Sequence, residues 1–183
     1  MSEFKYSAFI SYRHIEPDMS VAKKLHTMIE TYGIPDAVKR SCGKKKLGRV
    51  FRDQEELPLS SDLGGDITRA LEDSEWLIII CSPELLASKW CMKEINTFIE
   101  LGRKDRILTV LVRGEPRDSF PTQLLYDVTD NGLIEKEPLA ADVRSGNVSG
   151  MLKRLRNEKL RLLAPMLGVT YDDLRQRGRE RKL

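Results

Sequence analysis

Long apolar segments and histidines are scarce in this chain. Its 183 residues include two histidines and no run near the ~20 apolar residues of a membrane-spanning helix. The first five residues, MSEFK, do not begin a secretory signal sequence. The formal net charge of +3 is too small to predict nucleic-acid binding by itself. These absences favour a globular cytoplasmic protein that does not bind nucleic acid.

Cysteines are also few, and their spacing is not that of a metal site. Cys42, Cys81 and Cys91 form an odd set without the close pairs that zinc sites use. Cys81 ends an apolar strand and Cys91 lies on the buried face of a helix, so both are typical of small buried thiols. We therefore expect no disulfide framework, no metal, and a reducing compartment.

What the chain does contain is a regular alternation of strand and helix patterns. Strands are predicted at residues 6–12, 50–52, 75–82 and 106–112, with a short, interrupted fifth strand within 134–140. Such alternation predicts a parallel sheet with helices on both faces. The expected fold is α/β: a flavodoxin-like three-layer sandwich around a central five-stranded parallel sheet, in the order 2-1-3-4-5.

Local signals predict where the helices begin and where loops lie. Ser82 is predicted to cap the helix after the third strand, with Pro83 as its first residue. The stretch 36–49 is basic, contains two glycines, and is typical of a loop. Its Lys44–Lys46 cluster is typical of a solvated surface, and binding of an anionic partner is the alternative.

The C-terminal part is expected to be a connector after the main domain. The domain is predicted to span residues 1–163, with a last main helix that Ser145 or Asn147 caps and Pro165 breaks. Residues 164–183 are predicted to form the connector, with a short helix and a basic tail. Thr170 and Asp173 have the spacing of a capping box at the start of that helix.

Three enzyme classes on such a sheet are excluded by residues at its carboxyl edge. A phosphate-binding fold needs a glycine-rich turn after the first strand, but Ser-Tyr-Arg-His stands there. A phosphoacceptor domain needs acidic residues ending the first and third strands, which end in Ser11-Tyr12 and Cys81-Ser82. A triad hydrolase would carry G-x-S-x-G, and the chain has none.

The helix after the third strand carries the best candidate for chemistry. At about 100° per residue, Cys91, Ile95 and Phe98 centre its buried face. Glu94 falls roughly 60° from that centre, with Trp90 one turn before it on the same side. A carboxylate at the border of the core, beside an aromatic plane, is typical of a ligand site. By wheel position alone, a surface glutamate and a packing tryptophan remain the alternatives.

Three sequence segments, in order, are similar to the Toll/interleukin-1 receptor (TIR) domain family. They are AFISYR at 8–13, VFRDQEEL at 50–57 followed by GGDI at 64–67, and LIIICSP at 77–83 continuing through SKWCMKEI at 88–95. The resemblance covers roughly residues 4–163. Residues 55–58 and 137–142 resemble a bacterial subgroup, in which the domain often precedes repeat or membrane segments. Whether the native chain continues past Leu183 stays open.

The resemblance implies an activity, because many TIR domains cleave NAD+ between nicotinamide and ribose. It implies Glu94 as the catalytic residue, NAD+ as a substrate, no cofactor, and a role in bacterial immune or stress signalling. The product would be ADP-ribose or a cyclic isomer. It also implies self-association, since residues 53–63 match a mobile loop that gates the site and mediates assembly. The substrate-binding residues it implies are Trp90, Ser11, Tyr12, Arg13, Asp53, Leu57 and Leu63.

Two other functions stay open at this level. One is a non-catalytic adaptor that assembles through residues 55–61, where Leu57, Pro58 and Leu59 form a small apolar contact in a polar loop. The other is a deoxynucleoside transferase or another N-glycosidase. The chain also departs from the family, with Glu56 where some NAD-cleaving members have lysine, and with a longer 36–49 segment.

Overall fold

A computed structural model describes residues 3–52, 63–138 and 140–182 of the chain. The strands of its central sheet are β1 (Tyr6–Ser11), β2 (Val50–Arg52), β3 (Ser74–Cys81), β4 (Ile107–Leu111) and β7 (Ala140–Asp142). All five are parallel, in the order β2-β1-β3-β4-β7. With β7 counted as the fifth strand of the sheet, the predicted order 2-1-3-4-5 is confirmed.

Helices cover both faces of the sheet. They are α1 (Asp18–Glu30), α2 (Asp36–Cys42), α3 (Leu63–Glu72), α4 (Lys89–Glu100), α5 (Pro116–Ser119), α6 (Thr122–Leu125), α7 (Val148–Leu167) and α8 (Tyr171–Lys182). Two 3₁₀ turns span Pro83–Ala87 and Lys104–Arg106. Within the described residues, no helix is both long enough and apolar enough to span a bilayer.

Alternation along the strands divides the core into two halves. Ala8 and Ile10 of β1 pack among the apolar residues of α1 and α7, which we call the α1–α7 face. Phe9 packs with Ile67 and Ile95 on the other side, the α3–α4 face. Because both faces are covered, the strands are apolar at nearly every position rather than at every second one.

The segment 36–49 is not a loop throughout, so that prediction is wrong for its first half. Asp36–Cys42 forms α2, which ends at Gly43 with φ of +72°, a conformation that favours glycine. Val38 anchors this helix in the α1–α7 face, where it is buried. A helix of seven residues with one buried side chain is too short to show a helical period in the sequence.

The predicted start of the helix after β3 is also wrong. Residues 83–87 form a 3₁₀ turn instead, and α4 begins six residues after the predicted start, at Lys89. The actual cap is Ser88, whose hydroxyl accepts a hydrogen bond from the Cys91 N–H at 3.3 Å. The turn brings Leu85 into the core, where it is fully buried, and this packing outweighs the capping signal of Ser82.

The fifth strand lies later than predicted. Most of the predicted segment 134–140 is outside the sheet, and β7 pairs with β4 from Ala140 to Asp142. The preceding residues form an antiparallel hairpin of β5 (Tyr126–Thr129) and β6 (Gly132–Glu135). Asp130-Asn131-Gly132 is a turn signal between two short β-prone runs, so the sequence did contain the evidence for this hairpin.

Pro165 does not break the last main helix, contrary to prediction. Asn147 caps α7 by accepting a hydrogen bond from the Gly150 N–H at 2.7 Å, and the helix continues to Leu167. The proline lies in the last turn, where burial of Met166 and Leu167 compensates for one lost backbone hydrogen bond. The helix thus crosses the expected boundary at residue 163, and the division into domain and connector stays a prediction.

The predicted capping of the terminal helix is confirmed at Thr170. Its hydroxyl accepts a hydrogen bond from the Asp173 N–H at 3.1 Å. Leu174 of this helix is fully buried in the α1–α7 face. The C-terminal helix therefore packs on the same core as the sheet.

Candidate functional site

A hydrogen bond joins the end of the first strand to the middle of α4. The Ser11 hydroxyl donates to Glu94 Oε1 at 2.9 Å, although the residues are 83 positions apart. Alternation in β1 places Phe9 and Ser11 on the α3–α4 face. The Ser88 cap starts α4 at Lys89, which places Glu94 in its second turn. The pair therefore results from the register of one strand and the cap of one helix.

Glu94 lies deeper than its position on the helical wheel indicates. Only 3% of it is exposed, and Ser11 is 1% exposed. Burying a carboxylate is unfavourable unless hydrogen bonds replace its water shell. The Ser11 donor supplies one such bond and also fixes the orientation of the carboxyl plane. The predicted location of Glu94 beside the core is confirmed.

A narrow cleft between α3 and α4 opens beside Glu94. Trp90 lies at this cleft with 38% of its surface exposed, so it is not simply a core residue. The open volume is about 10 Å³, close to the room that one water molecule needs. This opening is too small for a dinucleotide. The lining residues are Gly64, Ile67, Thr68, Leu71, Trp90, Lys93, Glu94 and Thr97.

The other residues predicted to bind substrate do not all converge on Glu94. Tyr12 is buried on the α1–α7 face, the opposite side of the sheet, with its ring edge-on to His14 at 4.7 Å. Arg13 is half-buried just past the end of β1. Asp53 and Leu57 lie outside the described residues. Leu63 begins α3, but its side chain is outside the described set.

Asp18 is a buried acid at the same sheet edge that the sequence analysis missed. It is the first residue of α1 and is 2% exposed. Burial raises its pKa from 3.8 to about 6, although the positive charges of Arg13 and Arg113 lower it. Its charge also contributes to the raised pKa of the Cys81 thiol, after burial, which is the main cause. An acidic residue opening the helix after the first strand was the available signal.

A short ion pair lies near Asp18. Arg113, just past β4, contacts Glu84 of the 3₁₀ turn with an N–O distance of 2.5 Å. The Glu84 charge adds slightly to the raised pKa of Asp18. The carboxyl edge thus brings together charged side chains that follow β1, β3 and β4, as expected for an open parallel sheet. Among the described residues, no group of three or more His, Cys, Asp or Glu side chains is arranged to hold a metal ion.

These features define a class: a doubly wound parallel sheet with a buried carboxylate on the helix after its third strand. The chain belongs to the TIR domain family, since the sequence model of that family matches residues 8–141. The family resemblance predicted from the ordered motifs is confirmed.

Two curated relatives match over different lengths. NAD(+) hydrolase ApTIR from an Actinoplanes species is 29% identical over 93% of this chain and 24% of its own length. TMV resistance protein N from Nicotiana glutinosa is 22% identical over 54% of this chain and 7% of its own length. The chain thus spans a quarter or less of the relatives it matches.

A solved structure is also similar. The TIR domains of the activated Roq1 resistosome, which directly recognizes the pathogen effector XopQ, match with a TM-score of 0.42 and 18% identity. The match covers 61% of this chain and 60% of that chain.

Proposed function

We propose that this domain hydrolyses NAD+ at the bond between nicotinamide and ribose, with Glu94 as the catalytic residue. The observation that carries the proposal is the buried Glu94 carboxylate, held by Ser11 at 2.9 Å beside the half-exposed Trp90. The relation to a protein named as an NAD(+) hydrolase supports the same reaction.

The chemistry requires a negative charge near the ribose more than it requires an acid. Nicotinamide in NAD+ is cationic, so the C1′–N bond breaks with its electron pair going to nicotinamide, which leaves neutral. The ribose then develops positive charge, as in glycoside hydrolysis. Glu94 as a carboxylate stabilises that charge and can hold a ribose hydroxyl. Water adds to C1′ and loses a proton, which gives ADP-ribose.

Neighbouring residues have separate parts in this reaction. Ser11 is a positioning residue, because it orients Glu94 by a hydrogen bond. Trp90 offers an aromatic face on which nicotinamide or adenine can stack. Arg13, at the sheet edge, can pair with the diphosphate. A cyclic product arises if an adenine nitrogen replaces water in the attack on C1′.

Product analysis tests this proposal. The protein is incubated with NAD+ at several protein concentrations, and products are identified by mass. We expect nicotinamide with ADP-ribose or its cyclic isomer from the wild type, and no NAD+ loss with Glu94→Ala. Glu100→Ala is the matched control, since it removes an exposed acid from the same helix. NAD+ left intact by concentrated wild type rejects the proposal.

A second function, self-association, is favoured by the hairpin. Val128, Leu133 and Ile134 are 85%, 70% and 55% exposed on this two-stranded ribbon. Val128 and Leu133 are directly paired, so they form one apolar face. The predicted contact at 55–61 lies outside the described residues. Light scattering tests this function: Val128→Thr with Leu133→Thr should lower the average mass if the hairpin mediates assembly.

The cellular setting is also proposed. A cytoplasmic location and a role in bacterial immune or stress signalling are supported by the family and by the relation to a plant resistance protein. Fractionation of cells that express the protein tests the location.

A further inference from the structure

A wide basic groove lies at the amino end of the sheet, away from Ser11 and Glu94. Its volume is about 1000 Å³. Six cationic residues line it, against three acidic ones, Glu3, Glu75 and Asp105. The excess of +3 equals the formal net charge of the whole chain, so the rest of the molecule is balanced. The cations are Lys5, Lys44, Lys46, Arg49, Arg103 and Arg106.

Part of this charge has a structural role. Lys44 and Arg106 both pair with Glu75, at N–O distances of 3.2 and 3.5 Å. Arg103 donates to the backbone oxygens of Leu71, Glu72 and Ser74, at 2.9 to 3.2 Å, and so ties the end of α3 to β3. Glu75 thus has two cations beside it.

Three further cations, Lys5, Lys46 and Arg49, line the groove, and Lys5 and Arg49 face a common aromatic ring. Lys5, Lys46 and Arg49 are exposed. Lys5 Nζ lies 5.4 Å and Arg49 Cζ 5.6 Å from the centre of the Tyr6 ring. The two charges are therefore at most 11.0 Å apart, the sum of those two distances. Two cations within that distance can both contact one ligand that carries several anionic groups.

Both aromatic rings of the groove, Phe4 and Tyr6, have cations over them. Arg103 and Arg106 lie 4.8 and 5.9 Å from the centre of the Phe4 ring, as Lys5 and Arg49 do for Tyr6. Single-stranded nucleic acids are bound by stacking bases on such rings. The arrangement here instead favours a ligand that is recognised by its charge.

We propose that this groove binds a compact anion with several phosphate groups, either a free polyphosphate or a phosphorylated lipid headgroup. It would use Lys5, Lys46 and Arg49 as its main contacts. Since β1 runs from Tyr6 in the groove to Ser11 at the catalytic edge, the two sites lie about 17 Å apart. A ligand here leaves the Glu94 cleft open, so the proposal does not depend on the proposed hydrolysis.

Two binding experiments test this inference, both at about 0.15 M ionic strength. The first is calorimetry with sodium tripolyphosphate. The second is sedimentation with phosphatidylcholine vesicles, with and without phosphatidylinositol 4,5-bisphosphate. We expect binding in at least one arm. Binding of tripolyphosphate but not of the vesicles identifies the ligand as a free polyphosphate. Binding of the phosphoinositide vesicles but not of tripolyphosphate identifies it as a lipid headgroup. The double variant Lys46→Gln, Arg49→Gln should weaken binding roughly tenfold or more. Thermal melts check that it folds.

The matched control is Lys153→Gln with Arg156→Gln, which removes the same charge from exposed positions of α7. It should bind as the wild type does. Three results overturn the inference: no binding in either arm, an equal loss in both double variants, or tighter binding to a short DNA duplex than to either phosphate probe.

Discussion

Ser11 at the end of β1 donates a hydrogen bond to Glu94 of α4, and both residues are almost fully buried. This contact is between the sheet and a helix that the chain reaches only after passing through β2, α3 and β3. Open parallel sheets carry ligand sites at the carboxyl edge of their strands. At this edge the contact holds the Glu94 carboxylate in one orientation.

Replacing Ser11 with alanine should lower both stability and turnover. The buried Glu94 oxygen loses a donor, which costs about 1–3 kcal/mol, and the carboxyl plane loses its orientation. We expect a lower kcat with little change in KM, measured by NAD+ consumption beside a thermal melt. Ser7→Ala is the matched control, because that serine lies at the other end of β1 and donates to the Arg49 carbonyl. Ser7→Ala should lower the melting temperature without lowering kcat. If it lowers kcat as much as Ser11→Ala does, the positioning role of Ser11 is refuted.

Trp90 should contribute to substrate binding rather than to folding. Trp90 is 38% exposed and belongs to neither half of the core, so its truncation should cost less stability than the loss of a fully buried ring. Trp90→Ala should raise KM roughly tenfold, in line with about 1–3 kcal/mol for one stacked ring, and Trp90→Phe should recover part of the loss. Leu86→Ala, which removes a similarly exposed apolar side chain, is the control. A melting temperature that falls while KM stays constant would show that Trp90 only packs.

Asp18 should make folding stability decrease between about pH 4 and 6. Its pKa rises from 3.8 in the unfolded chain to about 6 in the folded protein, mainly through burial. The folded state therefore holds this proton more tightly, so stability is highest below the unfolded pKa and is lost as the pH rises to 6. The loss is at most about 3 kcal/mol.

Urea denaturation of Asp18→Asn across this pH range checks that sign. The variant cannot ionise, so its stability should lack this decrease and should equal or exceed that of the wild type at pH 7. Asp36→Asn is the control, since Asp36 opens α2 but is exposed. If Asp18→Asn shows the same pH slope as the wild type, Asp18 does not carry the raised pKa.

The sequence predicted what depends on strong periodicity and on motif order. The apolar run of β3 predicted a strand covered on both faces, the alternation of strands and helices predicted the doubly wound sheet, and the wheel position of Glu94 predicted its place near the core. The helix α2 was missed because it buries only Val38, and the last strand was placed too early because the hairpin before it also has a strand-like pattern. Pairing of Ser11 with Glu94 could not be read from the sequence, since it depends on strand register and on the cap at Ser88.

Tyr12 shows a different limit of sequence reasoning. Its neighbours Ser11 and Arg13 lie at the sheet edge, but alternation turns the Tyr12 ring to the α1–α7 face. The resemblance therefore assigned substrate binding to Ser11, Tyr12 and Arg13 alike, although the Tyr12 side chain lies on the opposite face of the sheet from Ser11. The role of Tyr12 in substrate binding stays a prediction.

The most direct test of the central claim is the NAD+ turnover rate of Glu94→Gln. This substitution keeps the shape of the side chain and an oxygen that can accept the hydrogen bond from the Ser11 hydroxyl, so the melting temperature should stay near that of the wild type. Without the negative charge, kcat should fall about 10²–10³-fold or more. A folded Glu94→Gln protein that retains the wild-type rate would contradict the account.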